Sequence, residues 1–465
     1  MQFRSRFKFR GERRQTLVPE RSRKEVQPAQ ILPVSITQQR LWFLAQLDPA
    51  AAGYNIWVGL RLHGLLNRTV LERSLQALID RHEALRTTFE IRDGEPAQIT
   101  AAEANLDMTF TDLSSFPATQ IETEAYARAA RETGKSFDLR SGPLFRSVLF
   151  RLGPEDHIVL CVMHHIISDG WSTGVLVQEL VHNYENFSKR ADYRPEALPI
   201  QYGDYASWQR QFLTDEVMRH QLRYWKSKLT GAPPVLNLRS DPVRPAEWSA
   251  EGGNRTVRLP EGVLRNLKTV SYEHDATLFM LLLAAFKVLL YRYSSQPDIL
   301  VGIPFAGRNQ LETEALIGCF VNTLVIRTDL SGNPRFSTLL AQVRNTTLEA
   351  FANADVPFEK VVQELNPVRS LSYNPIFQIF FVMTKAAVQS HKFADLTATP
   401  YIVNAITSPF DLSLSVIEGI DDQWWIQLEY NTHLFEHHRV TSMLDDYERL
   451  LLTLAESPEK RISDL

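Results

Sequence analysis

Six consecutive apolar residues, Ile158 to Met163, run directly into the pair His164-His165, and that junction constrains the fold of this chain more than any other stretch. The polar segment Ser168-Asp169-Gly170-Trp171-Ser172 follows, and Val175, Leu176 and Leu180 then recur at helical spacing. The order buried strand, short loop, helix places an imidazole on a rigid element at the rim of a cavity. Imidazole is the side chain best matched to moving protons near neutral pH. Successive residues leaving a strand point to opposite faces, so only one of the two histidines faces a given cavity. His165, nearer the loop, is expected to be the reactive one, with His164 packed behind it as a hydrogen-bonded core residue. Two roles are open to Asp169, in a turn opened by Gly170. It either orients the imidazole directly or pairs with an arginine to hold the loop, and the need of buried carboxylates for a charged partner favours the second. Gly170 leaves room for a substrate against the backbone.

No G-x-S-x-G nucleophile elbow occurs, which argues against a covalent acyl-enzyme and for direct attack of one bound substrate on another. The histidine spacing is not H-E-x-x-H and no third ligand cluster stands nearby, so no metal site is expected. Cys161 and Cys319 lie inside the apolar runs VLCVM and IGCFV and read as small core residues. The net charge of −4 gives no reason to expect nucleic acid as a partner. The most apolar stretch, Leu278 to Leu290, is broken by Lys287 and falls short of the roughly 20 residues that span a bilayer. It reads as a core helix of a cytoplasmic protein with no membrane partner.

Residues 1–30 are set apart by nine Lys or Arg within positions 1–24 and read as a basic linker or docking segment. A Pro- and charge-rich stretch at 189–200 suggests a boundary, giving an N-terminal unit over 31–190 with the histidine loop and a C-terminal unit over 191–465. Ser35 caps an expected helix beginning at Gln38, and residues 54–63, 145–151 and 157–163 read as strands. In the second half, helices are expected over 277–293 and 336–353, with strands over 299–303, 376–384, 411–417 and 424–430. The recurrence of strand, helix, strand in both halves suggests two α/β units with a ligand cleft between them.

The string MHHIISDGWS resembles the H-H-x-x-x-D-G signature of condensation domains of nonribosomal peptide synthetases, in the chloramphenicol acetyltransferase-like acyltransferase superfamily. Six further stretches match that family's motifs in order. They are SITQQRLWFL (35–44), RHEALRTTF (81–89), YGDYASW (202–208), IGCFVNTL (317–324) closed by Arg327, DVPFE (355–359) and, more loosely, RSLSYNP (369–375). The resemblance covers Pro33 to the C-terminus. It implies an α/β fold (an α+β sandwich) of two acetyltransferase-like subdomains, forming a V-shaped pseudo-dimer with a central tunnel past the histidine loop. It also implies a monomer that binds no cofactor of its own and takes substrates from 4'-phosphopantetheine on upstream donor and downstream acceptor carrier proteins. An adenylation domain usually follows a stretch such as Ile462-Ser463-Asp464-Leu465, so the resemblance leaves two expectations, a piece of a larger synthetase with an adjacent adenylation domain or a freestanding condensation enzyme. Carried onto this sequence, His165 is the second histidine of the signature, beside His164 and Gly170, and Asp169 is the structural acid. Arg308 is the expected partner of Asp169, with Arg327 second. Arg40 and Trp171 are expected to support the site, and Ser413 and Asn322 are secondary candidates for substrate contact, Asn322 also reading as a loop brace.

The resemblance implies peptide-bond formation, in which the acceptor's amine attacks the donor's acyl or peptidyl thioester. A free α-amine has a pKa of about 7.7–8.0, so an appreciable fraction is already neutral. The base is then of most use accepting the proton as the C–N bond forms, or positioning the amine. Epimerisation relatives continue Asp-Gly-Val-Ser-Trp and heterocyclisation relatives carry aspartates for the histidines, and this chain has neither. An ester-forming relative with an alcohol acceptor and a non-catalytic carrier-docking module stand as the alternatives.

Overall fold

The computed structural model describes residues 30–48, 52–238, 244–249, 251–260, 262–368, 370–385, 391–403, 407–419 and 423–465. The basic segment lies outside them apart from Gln30, and so does Arg369 of the seventh motif. The first half runs β1 (Gln30–Pro33), α1 (Ile36–Leu47), β2 (Asn55–Gly64), α2 (Arg68–Arg81), β3 (Thr87–Arg92), β4 (Glu95–Thr100) and β5 (Met108–Asp112). It continues through α3 (Ala118–Thr133), β6 (Phe145–Gly153), β7 (Asp156–His164), α4 (Gly170–Lys189), α5 (Tyr202–Phe212) and α6 (Asp215–Leu229). The second half opens with β8 (Gly252–Arg258), α7 (Val263–Glu273), α8 (Leu278–Ser294), β9 (Asp298–Phe305), β10 (Asn322–Asp329), α9 (Phe336–Ala352) and α10 (Phe358–Leu365). It ends with β11 (Ile379–Lys385), β12 (His391–Phe393), β13 (Leu396–Pro400), β14 (Leu412–Glu418), β15 (Trp424–Asn431) and α11 (His437–Glu456).

The α/β class expected from the sequence is the one observed. One six-stranded sheet has the order β12-β13-β2-β7-β6-β5, a second has the order β10-β9-β11-β14-β15-β8, and β1-β4-β3 form a small third. The apolar run of β7 is explained by its place between β2 and β6. Val159, Cys161 and Met163 enter a core shared with α1, α2, α4 and α5, while Ile158, Leu160 and Val162 enter another against α3. A strand covered on both faces needs apolar residues at every position, not at alternate ones. The sheet therefore delivers His164 and His165 at the end of an element with no mobile face.

Packing does not divide at residue 190. Leu198, Ile200, Tyr202, Tyr205 and Ala206 belong to the first core, so the Pro-rich stretch is a connection within that unit and not a boundary. The second half also lends strands to the first sheet. β13 pairs antiparallel with β2, Leu396 opposite Gly64, and so extends the first sheet with second-half chain. Leu316, Ile317, Cys319 and Phe320 cross in the same direction. The expected Ser168–Ser172 loop is shorter than its composition suggested. α4 begins at Gly170 because the Asp169 side chain caps it, accepting from Ser172 N at 2.8 Å.

α8 is enclosed on all sides, with Met280 to Leu290 buried throughout, as an apolar helix at the centre of a core must be. No single helix among the described residues is long and apolar enough to cross a membrane. Lys287, within α8, donates from Nζ to the carbonyls of Ile299 on β9 (3.0 Å) and Ile326 on β10 (2.6 Å). Two acceptors match the two N–H groups of a neutral amine. Burial pushes this pKa down to about 7, partly offset by Asp298. Between about pH 7 and 10 the unfolded chain keeps a proton that the folded chain has released, so stability should rise with pH across that window. Lys287→Met should abolish that contribution, and the difference in unfolding free energy between wild type and variant, from denaturant titrations, should grow with rising pH. A difference independent of pH would show that the amine stays charged in place.

Candidate active site

His164 closes β7, and His165 opens a single tight turn through Ile167 before Asp169 caps α4. The two imidazoles are held in opposite ways. His164 is 3 % exposed, and its Nδ1 accepts from Ile166 N at 3.1 Å. Phe137 and Tyr54 flank the ring at centroid distances of 6.3 and 6.4 Å. Burial, and then the neighbouring His165, push its pKa down to about 3, so it stays neutral over any physiological range. His165 is half-buried, and its Nδ1 lies 2.8 Å from the Ser168 carbonyl. A carbonyl only accepts, so Nδ1 carries the proton, and in the neutral ring the lone pair stands on Nε2. The His165 backbone N–H is anchored to Tyr54 O at 2.8 Å. The Cys319 thiol packs 3.6 Å from Nδ1, and burial holds it protonated.

Asp169 makes no hydrogen bond to His165. Its Oδ1 accepts from Ser172 N (2.8 Å), Ser172 Oγ (2.7 Å) and Arg308 Nη2 (3.1 Å), and its Oδ2 accepts from Phe320 N (3.0 Å). Four donors on a carboxylate only 1 % exposed leave nothing for an imidazole, so Asp169 is a brace in this geometry and not a triad acid. Arg308 is equally enclosed. Nη1 donates to the carbonyls of Thr313 and Leu316, Nη2 also reaches Ser172 Oγ at 2.9 Å, and the guanidinium lies 4.0 Å from the Phe320 ring centroid. Gly307 makes this approach possible. It sits at φ +66°, and a Cβ there would stand 2.1 Å from Phe320 O.

The remaining candidates fall in three places. Arg327 does not approach Asp169. It forks onto Asp298 (2.7 Å) and the carbonyls of Lys228 and Thr230, because β10 turns it to the rim of the second sheet. Asn322 is committed to structure, its amide donating to Ala354 O and Val356 O and accepting from Phe358 N, so the brace reading holds and no amide hydrogen is left for substrate. Arg40 ties α1 to α10 through Glu359 at 3.0 Å. Trp171 is 48 % exposed, with Nε1 donating to Glu314 O at 2.9 Å. Gly170 faces open space, with nothing within 4 Å of an added Cβ. Ser413 lies in the middle of the second sheet, opposite Glu429.

Sequence reasoning missed Ser172 and the place of Cys319. Ser172 Oγ joins Asp169, Arg308 and both the N–H and the carbonyl of Gly318, and its spacing three residues after a capping aspartate was the available signal. Tyr202 OH donates to Cys319 O at 2.7 Å and lies 2.9 Å from Ser35 Oγ, so α5 holds the 316–320 segment beside the imidazole. Among the described residues, no group of three His, Cys, Asp or Glu is placed to hold a metal ion.

Removing one partner of a buried ion pair strands the other, at a cost of about 3–5 kcal/mol. Arg308→Met should therefore lower the unfolding free energy by about that much, whereas the double variant with Asp169→Asn should recover part of it. Additive losses in a denaturant double-mutant cycle would show that the pair is not coupled.

Residues 28–465 match the family described as Condensation domain. A component of the linear gramicidin synthase of Brevibacillus parabrevis is 43 % identical over 461 residues, covering 97 % of this chain and 9 % of that protein. The chondramide synthase of Chondromyces crocatus is 40 % identical over 440 residues, covering 94 % of this chain and 11 % of that one. The chain thus spans a small part of the length of these relatives. Among solved structures, the X-domain from teicoplanin biosynthesis has a TM-score of 0.84 at 29 % identity, over 97 % of this chain and 99 % of that one. The first condensation domain of the calcium-dependent antibiotic synthetase, in complex with a substrate analogue, has a TM-score of 0.79 over 94 % of this chain and 98 % of that one. Its identity of 19 % speaks to fold alone. With the family match reaching from residue 28 to residue 465, this chain belongs to the condensation domains of nonribosomal peptide synthetases and has their chloramphenicol acetyltransferase-like fold.

Proposed function

We propose that this chain joins a donor acyl or peptidyl thioester to the amine of an acceptor aminoacyl thioester, both carried on 4'-phosphopantetheine arms of carrier proteins. The observation that carries the reading is the His165 ring, whose Nδ1–H is spent on the Ser168 carbonyl and whose Nε2 is left as an acceptor. The acceptor nitrogen attacks the donor's thioester carbon, forming the C–N bond and a tetrahedral oxyanion. The nitrogen's proton passes to Nε2. Collapse breaks the C–S bond, and the departing thiolate takes up a proton from the imidazolium, which regenerates the base. His164 stays neutral and leaves no second positive charge beside the imidazolium. Asp169 acts through Arg308 to hold the turn in place. Positioned proton transfer contributes about 10²–10⁴-fold, and alignment of two tethered reactants adds an effective-molarity gain.

In this reading, upstream and downstream carrier proteins present the substrates at opposite ends of a passage lined in part by β14. The domain works as a monomer in the cytoplasm beside an adenylation domain. His165→Ala should lower single-turnover amide formation by about 10²–10⁴-fold while carrier binding is unchanged. The readout is intact-protein mass spectrometry of the acceptor carrier. Amide formation at the wild-type rate in this variant would refute the role of His165. Matched amine and alcohol acceptors separate amide from ester formation, and a docking-only module would turn over neither.

A further inference from the structure

The two large sheets use their faces differently. Both faces of the first are apolar at β7, whereas β14 and β15 alternate apolar with polar over Leu412–Ser415 and Ile426–Glu429, and Ile417 opposite Trp425 closes the polar face at one end. Leu412, Leu414, Val416, Ile426 and Leu428 enter the second-half core. Ser413, Ser415, Gln427 and Glu429 occupy the opposite face, with Ser413 facing Glu429 across the strands and Ser415 facing Gln427. Such alternation usually marks a solvent-washed face. This face is not open in that way. Ser413 is only 4 % exposed, and Ser415, Gln427 and Glu429 are half-buried.

Polar side chains so enclosed are normally bonded, as Asn322 and Gln378 are here. The four side chains on this face have no protein partner among the described residues, but their polar atoms stay within reach of water, so solvent meets them where no ligand is bound. Phe380, beside Ser413 on β11, stacks on Phe410 at 4.6 Å and gives this face an apolar border. Asn254 on β8 flanks Glu429 from the other side. The Glu429 carboxyl is pushed up by burial alone, with no countercharge opposing the shift. A carboxylate desolvated without a partner attracts an incoming cation more strongly than one in water.

We propose that Glu429, with the Ser413 and Ser415 hydroxyls beside it, binds a primary ammonium group carried by a substrate. The inference rests on the reading of β14 as a wall of the substrate passage. The ammonium is either the α-ammonium of an aminoacyl group or that of a lysine-like side chain, and the two differ only in where on the substrate the charge sits.

Four stable ligands separate these sources: lysyl-pantetheine amide and its Nα-acetyl, Nε-acetyl and diacetyl forms. Wild type should bind at least one singly acetylated ligand about tenfold more tightly than the diacetyl form, as expected for one hydrogen bond to a charged group. The form that keeps the preference identifies the ammonium recognised. Glu429→Gln should erase the preference, and Ser413→Ala should reduce it, each with a thermal melt to check folding. Equal binding of all four ligands by wild type, or a preference that survives both substitutions, overturns the proposal. Binding is measured apart from turnover. A chain that shows the preference but forms no amide therefore refutes the proposed function alone, and one that condenses without the preference refutes this subsite alone.

Discussion

The geometry around His165 depends on one buried ion pair. Asp169 and Arg308 lie 139 positions apart, one capping α4 in the first half and the other following β9 in the second. Each is almost wholly removed from water, which by itself is costly for both charges. The cost is offset because nearly every polar atom is used, with four donors on the carboxylate and three further acceptors on the guanidinium. These bonds tie the start of α4 to the 313–320 segment. That segment in turn sets Cys319 beside the imidazole and Phe320 under the guanidinium. The pair therefore fixes the arrangement of these segments about the imidazole.

The second constraint is the two-sided burial of β7. Where both faces of a strand are apolar, the hydrophobic pattern does not distinguish one register from the next. Register must come from the ends. The tight turn between β6 and β7 and the bidentate Arg61–Asp156 contact supply it at one end, and the capped helix at the other. A one-residue slip would exchange the cores entered by alternate residues and turn His165 where His164 now lies. Together the ion pair and the register explain how two identical side chains, adjacent in sequence, end up with opposite protonation patterns.

Much of this was legible beforehand, and the exceptions share a cause. The strand before the histidines, the Ser35-capped helix and the pairing of Asp169 with an arginine follow from local pattern and from the cost of leaving a carboxylate buried alone. The Pro-rich stretch at 189–200 looked like a boundary because proline and charge punctuate chains locally, but Tyr202 and Tyr205 are claimed by a core assembled from distant segments. Gly170 looked like part of a loop because glycine is a weak helix former, yet a capping aspartate outweighs one glycine at the first turn. Asn322 looked available for substrate and Arg327 for Asp169, and both are committed to backbone or carboxylate partners elsewhere in the chain.

Residue type and spacing along the chain determined which segments are strands and helices, that an imidazole would stand at a strand end, and which acid would need a cation. Those are consequences of short-range periodicity and of desolvation, which act on each residue wherever it ends up. Only the tertiary structure decided that Ser168 and not Asp169 orients the ring, that Ser172 and Gly307 close the arginine's site, and that β13 crosses to the other sheet. It also decided that the polar face of β14 and β15 is partly buried. Hydrogen bonds and close contacts depend on position in space, whether the partner is three residues away or more than a hundred, and sequence pattern records hydrophobicity without recording which neighbour will supply the partner.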